Sequence, residues 1–168
     1  MWTPATANTT LNNNFTELGN IAVNFRGDVI ATDRGANKVY LVDATGSHTG
    51  SRTRIAGTGA VTGFLEGTPA LDNALYGVRG VWLLPNGGYF LATHEGSQVL
   101  YVDIAGILRA FIDGQAGNAH TGDGEFFRSP GFKVSEVRSI TTDSEGNLLI
   151  TENGFGYVRS VQFLPMQP

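Results

Sequence analysis

Residues 81–93 read Val-Trp-Leu-Leu-Pro-Asn-Gly-Gly-Tyr-Phe-Leu-Ala-Thr, and the same plan occurs twice more. Ile-Ala-Val-Asn-Phe-Arg-Gly-Asp-Val-Ile-Ala-Thr-Asp fills 21–33, and Ile-Thr-Thr-Asp-Ser-Glu-Gly-Asn-Leu-Leu-Ile-Thr-Glu fills 140–152. The copies start at Ile21, Val81 and Ile140, 60 and 59 residues apart. One column holds Gly27, Gly87 and Gly146; another holds Val39, Val99 and Val158. Repetition at a fixed period of this size marks a stack of similar supersecondary units.

Each copy reads as a strand, a tight turn, an apolar strand, a second turn and a third strand. Arg26-Gly27-Asp28, Gly87-Gly88 and Glu145-Gly146-Asn147 suit hairpin turns at positive φ. Stretches 29–32, 89–92 and 148–151 are apolar on both faces, as expected of a strand between two layers. Third strands follow at 38–43, 98–103 and 157–162, and the first two copies continue into fourth strands near 52–56 and 108–113. Four-stranded units stacked through both faces predict an all-β propeller. Three blades are expected, at about 19–57, 78–114 and 137–164, the last without its fourth strand. Gly-rich connections at 57–76 and 114–136 join them, and Thr3-Pro4-Ala5 echoes Thr68-Pro69-Ala70. Connections that long commonly carry function.

Composition agrees. Glycine supplies 23 of 168 residues, roughly twice its usual ~7% share. Hydrophobic residues at 41% allow a real core, and 168 residues suit one domain. The net charge of −4 gives no electrostatic case for nucleic acid or an anionic membrane surface. The absence of cysteine excludes disulfides, a thiol nucleophile and a Cys-based zinc site. No apolar run reaches the ~20 residues of a membrane-spanning helix. An extracellular or periplasmic setting is the expectation should a leader have been removed.

The three cores resemble the NHL repeat. Val78-Arg79-Gly80-Val81-Trp82-Leu83 with Gly87-Gly88-Tyr89-Phe90-Leu91-Ala92-Thr93 carries the likeness, as does Val137-Arg138-Ser139-Ile140-Thr141-Thr142 with the stretch that follows Gly146. Ile55-Ala56-Gly57-Thr58-Gly59 through Thr68-Pro69-Ala70 is similar to the long blade linkers of bacterial NHL proteins. The resemblance implies blades of a ring that commonly closes with six. Three blades imply either a two-fold homodimer completing the ring or further blades of a longer chain.

In such a ring small ligands bind where the innermost strands converge. Gly19, Arg79 and Arg138 fall at the leading ends of those strands. In NHL-like amidating lyases, histidines at this position hold a catalytic zinc. Arginine stays protonated and is no zinc ligand, so that metal site does not carry over.

Arg79 and Arg138 have two open roles: a small anionic ligand at the mouth, or ion pairs with acids such as Asp33 or Glu152. His94, at the end of a buried strand, stands as a general acid/base beside Glu152 or as a solvated turn residue. The ligand-binding set is therefore Arg79, Arg138, His94 and Glu152, with no catalytic residue assigned. His48, His94 and His120 lack metal-binding spacing, and no cofactor is expected. The oxygen-rich Thr121-Gly122-Asp123-Gly124-Glu125 offers at most a weak Ca²⁺ site, or simply a turn. Phe64, Tyr76, Phe126, Phe127 and Phe132 stand as a stacking platform for a carbohydrate or a partner, or as plugs between blades. The functional expectation is a non-catalytic binding and assembly module. The alternative is a metal-dependent hydrolase or lyase with its site at the centre of the ring.

Overall fold

The computed structural model describes residues 11, 14–44, 49–113 and 119–162. His48, the Thr3-Pro4-Ala5 echo and the expected unit ends at Gly114 and Leu164 lie outside the described residues. Strands β1 (Leu18–Val23), β2 (Val29–Asp33), β3 (Lys38–Val42) and β4 (Arg52–Ala56) form the first sheet in chain order. The second runs β6 (Val78–Leu83), β7 (Tyr89–Thr93), β8 (Gln98–Val102), β9 (Ile107–Asp113), with two-residue β5 (Thr68–Pro69) outside β9. The third holds β10 (Val137–Thr142), β11 (Leu148–Glu152) and β12 (Tyr157–Val161). All neighbouring strands within each sheet are antiparallel. Among the described residues no helix is long and apolar enough to cross a membrane.

The turns follow from the glycine column. Gly27, Gly87 and Gly146 sit at φ of 87°, 90° and 86°, the left-handed region that a side chain disfavours. Asx side chains brace the same turns: Asn24 Oδ1 accepts the amides of Arg26 and Asp28, and Asp143 Oδ1 those of Glu145 and Asn147, all at 2.9 Å. A second left-handed column, Asn37, Ser97 and Gly156, shapes the turns at the other end of the hairpins.

The middle sheet is buried on both faces. One cluster packs Ile30 and Val39 of the first sheet against Val81, Leu91, Leu100 and Leu108 of the second. Another packs Phe90, Val99 and Ile112 against Ile140, Leu148 and Ile150 of the third. Every residue of β7 is buried, which accounts for its unbroken apolar sequence. Each such side chain stabilises by ~1.5–3 kcal/mol through burial.

Position in the stack decides exposure. Val39 and Val99 are 0% exposed beneath the next sheet, whereas Val158, in the same column, is 72% exposed. At the opposite end Ile21 is 61% exposed, and its counterpart Val81 only 3%.

Candidate functional site

Innermost strands β1, β6 and β10 lie side by side. Each starts with an irregular step in its ladder: the register shifts between Leu18 and Ile21, Val78 and Gly80, and Val137 and Ser139. Arg79 and Arg138 are the residues inserted in the second and third steps. A bulge of this kind re-aims the side chain it carries. Gly19 takes the place of an arginine in the first because β1 presses against β6: a Cβ there would stand 2.4 Å from Thr32 Oγ1 and 2.7 Å from the Arg79 carbonyl.

Three backbone bonds define equivalent positions at this end. The amides of Arg34, His94 and Asn153 donate to the carbonyls of Glu17, Gly77 and Glu136, at 2.8, 2.9 and 3.2 Å. The left-handed turn residues stitch each sheet to the next. Asn37 Oδ1 accepts the Gly77 amide at 2.7 Å, and Ser97 Oγ accepts the Glu136 amide at 3.3 Å. Glu136 itself holds a φ of 41° where its counterpart Gly77 has 66°. A side chain held in that backbone region costs of order 1 kcal/mol or more and often marks a functional position.

A chain of charges runs across these positions. Arg34 pairs with Glu17 at 2.5 Å and crosses to Glu95 of the second sheet. Gly77 makes room for Glu95, because a Cβ there would lie 1.3 Å from Glu95 Oε2. His94 lies between two carboxylates: Nδ1 is 3.2 Å from Glu95 Oε1, out of line for a hydrogen bond, and Nε2 is 3.2 Å from Glu136 Oε2. Arg138 Nη2 stands 3.0 Å from the same Nε2 and 3.6 Å from Glu136. Nε2 serves one of them at a time: protonated, it donates to Glu136; unprotonated, it accepts from Arg138.

The Asn153 side chain, donating from Nδ2 to Oε2 at 3.0 Å, holds the Glu136 carboxyl below its ordinary range, and the His94 and Arg138 charges add to this. Burial pushes Glu95 up, but the Arg34 hydrogen bonds and the neighbouring His94 outweigh it and leave the group lowered.

Of the four expected ligand-binding residues, Arg138 and His94 come together. Arg79 is half-buried on the neighbouring strand, and its guanidinium has no hydrogen bond or ion pair among the described residues. Column equivalence explains the difference. Arg138 reaches back to His94 and Glu136; the positions that correspond for Arg79 hold Arg34, a like charge, and Gly77, which has no side chain. The expected pairing of these arginines with Asp33 or Glu152 is corrected here. Asp33 accepts the Thr16 and Glu17 amides, both at 2.9 Å, and Arg138 takes Glu136 instead.

Glu152 anchors a second cluster. Fully buried, it accepts the Ser135 amide at 3.0 Å, faces His120 Nδ1 at 3.1 Å and lies 3.3 Å from Arg159 Nε. Arg159 also donates to the Lys133 carbonyl at 2.9 Å and to Asp123 at 2.8 Å. The His120 hydrogen bond holds the Asp123 carboxyl below its usual range, with help from the Arg159 charge. Both Asp123 oxygens therefore face protein donors, Glu125 takes the Ser129 hydroxyl at 2.5 Å, and among the described residues no group of three or more His, Asp or Glu is arranged to hold a metal ion.

Arg159 had a sequence signal that passed unread. It is a charged residue in the apolar column of Tyr40 and Leu100. Of the loop aromatics, Phe132 is buried and Phe64 and Phe127 pack on the cores, whereas Tyr76 and Phe126 are exposed.

No protein-family profile matches the sequence, and no curated protein matches it. Solved structures do. A structural genomics protein of unknown function from Bacteroides thetaiotaomicron is 14% identical, with a TM-score of 0.69 over 83% of this chain and 34% of its own. An auxiliary nutrient binding protein from the same organism is 13% identical, TM-score 0.67, covering 83% and 36%. Virginiamycin B lyase from Staphylococcus aureus, in a catalytically inactive form with quinupristin, is 18% identical, TM-score 0.53, covering 92% and 44%. The chain thus spans between a third and a half of the length of these proteins. At such identities the likeness concerns architecture alone. The chain has the β-propeller fold.

Proposed function

We propose that the chain is a non-catalytic binding and assembly module: three NHL-type blades, half of a six-bladed ring, that close with a second copy or with further blades and hold a small anionic ligand at the mouth. Arg79 carries this reading. It is a half-buried guanidinium at the leading end of an innermost strand, without an ion pair among the described residues, beside Arg138, whose Nε is buried without a hydrogen-bond partner. Such a pair suits a carboxylate, sulfate or phosphate, which accepts charge-assisted hydrogen bonds from guanidinium forks. In a two-fold ring four guanidiniums would face one channel. The bare columns at both ends of the stack, Val158 and Ile21, support closure by a further sheet. The fold neighbour described as an auxiliary nutrient binding protein accords with a binding role.

Two measurements test the reading. Light scattering across a dilution series gives the mass, expected at twice 17.9 kDa for the self-closed ring. Thermal unfolding in sulfate and in succinate, against chloride at equal ionic strength, reads the site. Wild type gains stability in one of the two, and Arg79→Ala loses that gain while melting as wild type does in chloride. Equal melting of wild type in all three salts sinks the anion site, as does unfolding of Arg79→Ala.

A further inference from the structure

The two interfaces between neighbouring sheets share one plan and fill it differently. Ile30 of β2 pairs with Leu41 of β3, as Phe90 of β7 pairs with Tyr101 of β8. Ile55 and Phe111 are the residues inserted in the irregular steps of β4 and β9, next to the partners of Val39 and Val99. Between the second and third sheets these positions carry three aromatic rings, Phe90 standing 5.5 Å from Tyr101 and 5.0 Å from Phe111. Fully buried Leu148 packs in the same cluster. Between the first and second sheets the same positions carry three aliphatic side chains, and Tyr89 takes the place of Leu148.

Branched aliphatic side chains do not fill the room that three rings fill. A cleft of about 900 Å³ opens there, with Ile30, Leu41 and Ile55 on the first sheet and Leu83 and Tyr89 on the second, and it runs on beside the innermost strands as far as Thr142. Both of these walls are sheets of four or more paired strands, so this part of the cleft lies within the stack and not at its ends. One wall holds an unused hydrogen-bonding group. Tyr89 is 8% exposed, and its hydroxyl has no hydrogen bond among the described residues. Burial alone pushes its pKa up. A buried hydroxyl in that state is costly until something bonds to it. At the lip stand Phe25 and Ile104, both strongly exposed, in the turns after β1 and β8. Asp103 is the one charged residue among those lining the cleft, and its Oδ1 accepts the Ala105 and Ile107 amides at 2.9 and 3.0 Å.

We propose that this cleft binds a neutral, apolar small molecule that carries one hydrogen-bond acceptor, its hydrocarbon body against Ile30, Leu41 and Ile55 and its acceptor on the Tyr89 hydroxyl. A ring of the ligand stands where the chain places its own rings one interface further on. The size falls within the ~300–1,000 Å³ of ligand sites, and apolar walls with a single converging polar group are their usual make-up. The lining has no lysine or arginine and one acid, so it offers nothing to an anion and is separate from the arginines of the mouth.

The probe is 2-acetylnaphthalene, a neutral bicyclic ketone, titrated into the full chain with backbone amide NMR shifts as the readout. The control is 2-isopropylnaphthalene, which has the same shape and no acceptor. Saturable binding of the ketone is expected, with shifts centred on Phe25, Leu83 and Ile104. Tyr89→Phe deletes only the unbonded hydroxyl; it should melt no lower than wild type and bind the ketone about fivefold more weakly, with its affinity for the hydrocarbon unchanged. Ile55→Phe writes in the ring of the second interface and should abolish binding of both probes with an unchanged circular dichroism spectrum. If Ile55→Phe unfolds, Tyr89→Phe decides alone. Absence of saturable binding overturns the proposal, as does full binding by a folded Ile55→Phe. Equal ketone affinity of wild type and Tyr89→Phe means apolar adsorption without recognition and overturns it too. Shifts centred on Val158, at a bare sheet face, do the same.

Discussion

Glu152→Ala removes the one fully buried carboxylate of the third sheet, and the structure sets the size of the effect. The Ser135 amide loses its acceptor, and Arg159, 6% exposed, loses the charge beside its Nε. Breaking a buried pair from one side costs ~3–5 kcal/mol. The lower end applies here, because Asp123 and the Lys133 carbonyl still receive the Arg159 Nη groups. We expect ~3 kcal/mol, or about 1.5 M in urea midpoint at an m-value of ~2 kcal/mol/M. Glu152→Gln keeps an acceptor for Ser135 and should cost about half as much. Adding Arg159→Met to Glu152→Ala should recover much of the loss, since an apolar replacement of both partners leaves no stranded charge. Urea unfolding at pH 7, followed by circular dichroism with the m-value checked, measures all three and the Arg159→Met single. A Glu152→Ala midpoint within 0.3 M of wild type, or a double variant weaker than the sum of its singles, would refute the reasoning.

Three further outcomes follow from the same geometry. Gly77→Ala puts a Cβ at a φ of 66° and into Glu95 Oε2, so thermal unfolding should show a loss above ~1 kcal/mol and NMR a displaced Glu95; a neutral result contradicts the account of the Arg34–Glu95 crossing. Glu136, Glu95 and Asp123 all titrate below their reference values of 4.5, 4.5 and 3.8, so their contributions are full above those values and fade as pH falls through the lowered ones. The melting temperature should therefore fall steeply with acid below about pH 4.5, and a rise there would reverse the assigned sign. Val158→Asp, on a side chain already 72% exposed, should leave the melting of the monomer within ~0.5 kcal/mol of wild type while halving the mass of a ring closed through that face.

The fold was legible because a propeller writes its plan several times. One glycine column set the turns, and the apolar run at 89–92 marked a strand between two layers; 148–151 read the same way, but β11 alternates buried and half-buried residues, since no further sheet among the described residues covers its other face. The second turns were expected, but the left-handed backbone of Asn37 and Ser97, both at a φ of 52°, was not legible because neither residue is glycine. The little strand Thr68–Pro69 escaped because two residues carry no periodicity. The site was legible only as a list. Arg79, Arg138 and His94 could be named from their columns, but pairing depends on which side chain reaches back across a sheet, and spacing does not encode that. Hence Glu152, expected beside His94, binds His120 and Arg159 instead, while His94 takes Glu136. Arg159 was readable in principle as a charge in an apolar column.

The same column logic separates support from surplus among the arginines. Arg34 has Glu17 and Glu95, Arg138 has Glu136 and His94, and Arg159 has Glu152 and Asp123. Every partner but Glu152, the last residue of β11, comes from a connection or a turn, where the repeat leaves residue choice free, rather than from a strand, where packing dictates it. Arg79 stands on the same scaffold, in the same bulge as Arg138, and differs only in that its two reciprocal positions hold Arg34 and Gly77. Gly77 is needed there to admit Glu95, and Glu95 is needed to neutralise Arg34 across the sheets. That Arg79 has no ion pair among the described residues is thus a consequence of how the first two sheets are joined. An anion bound by Arg79 would complete the alternation of charge that Glu136 completes one blade further on.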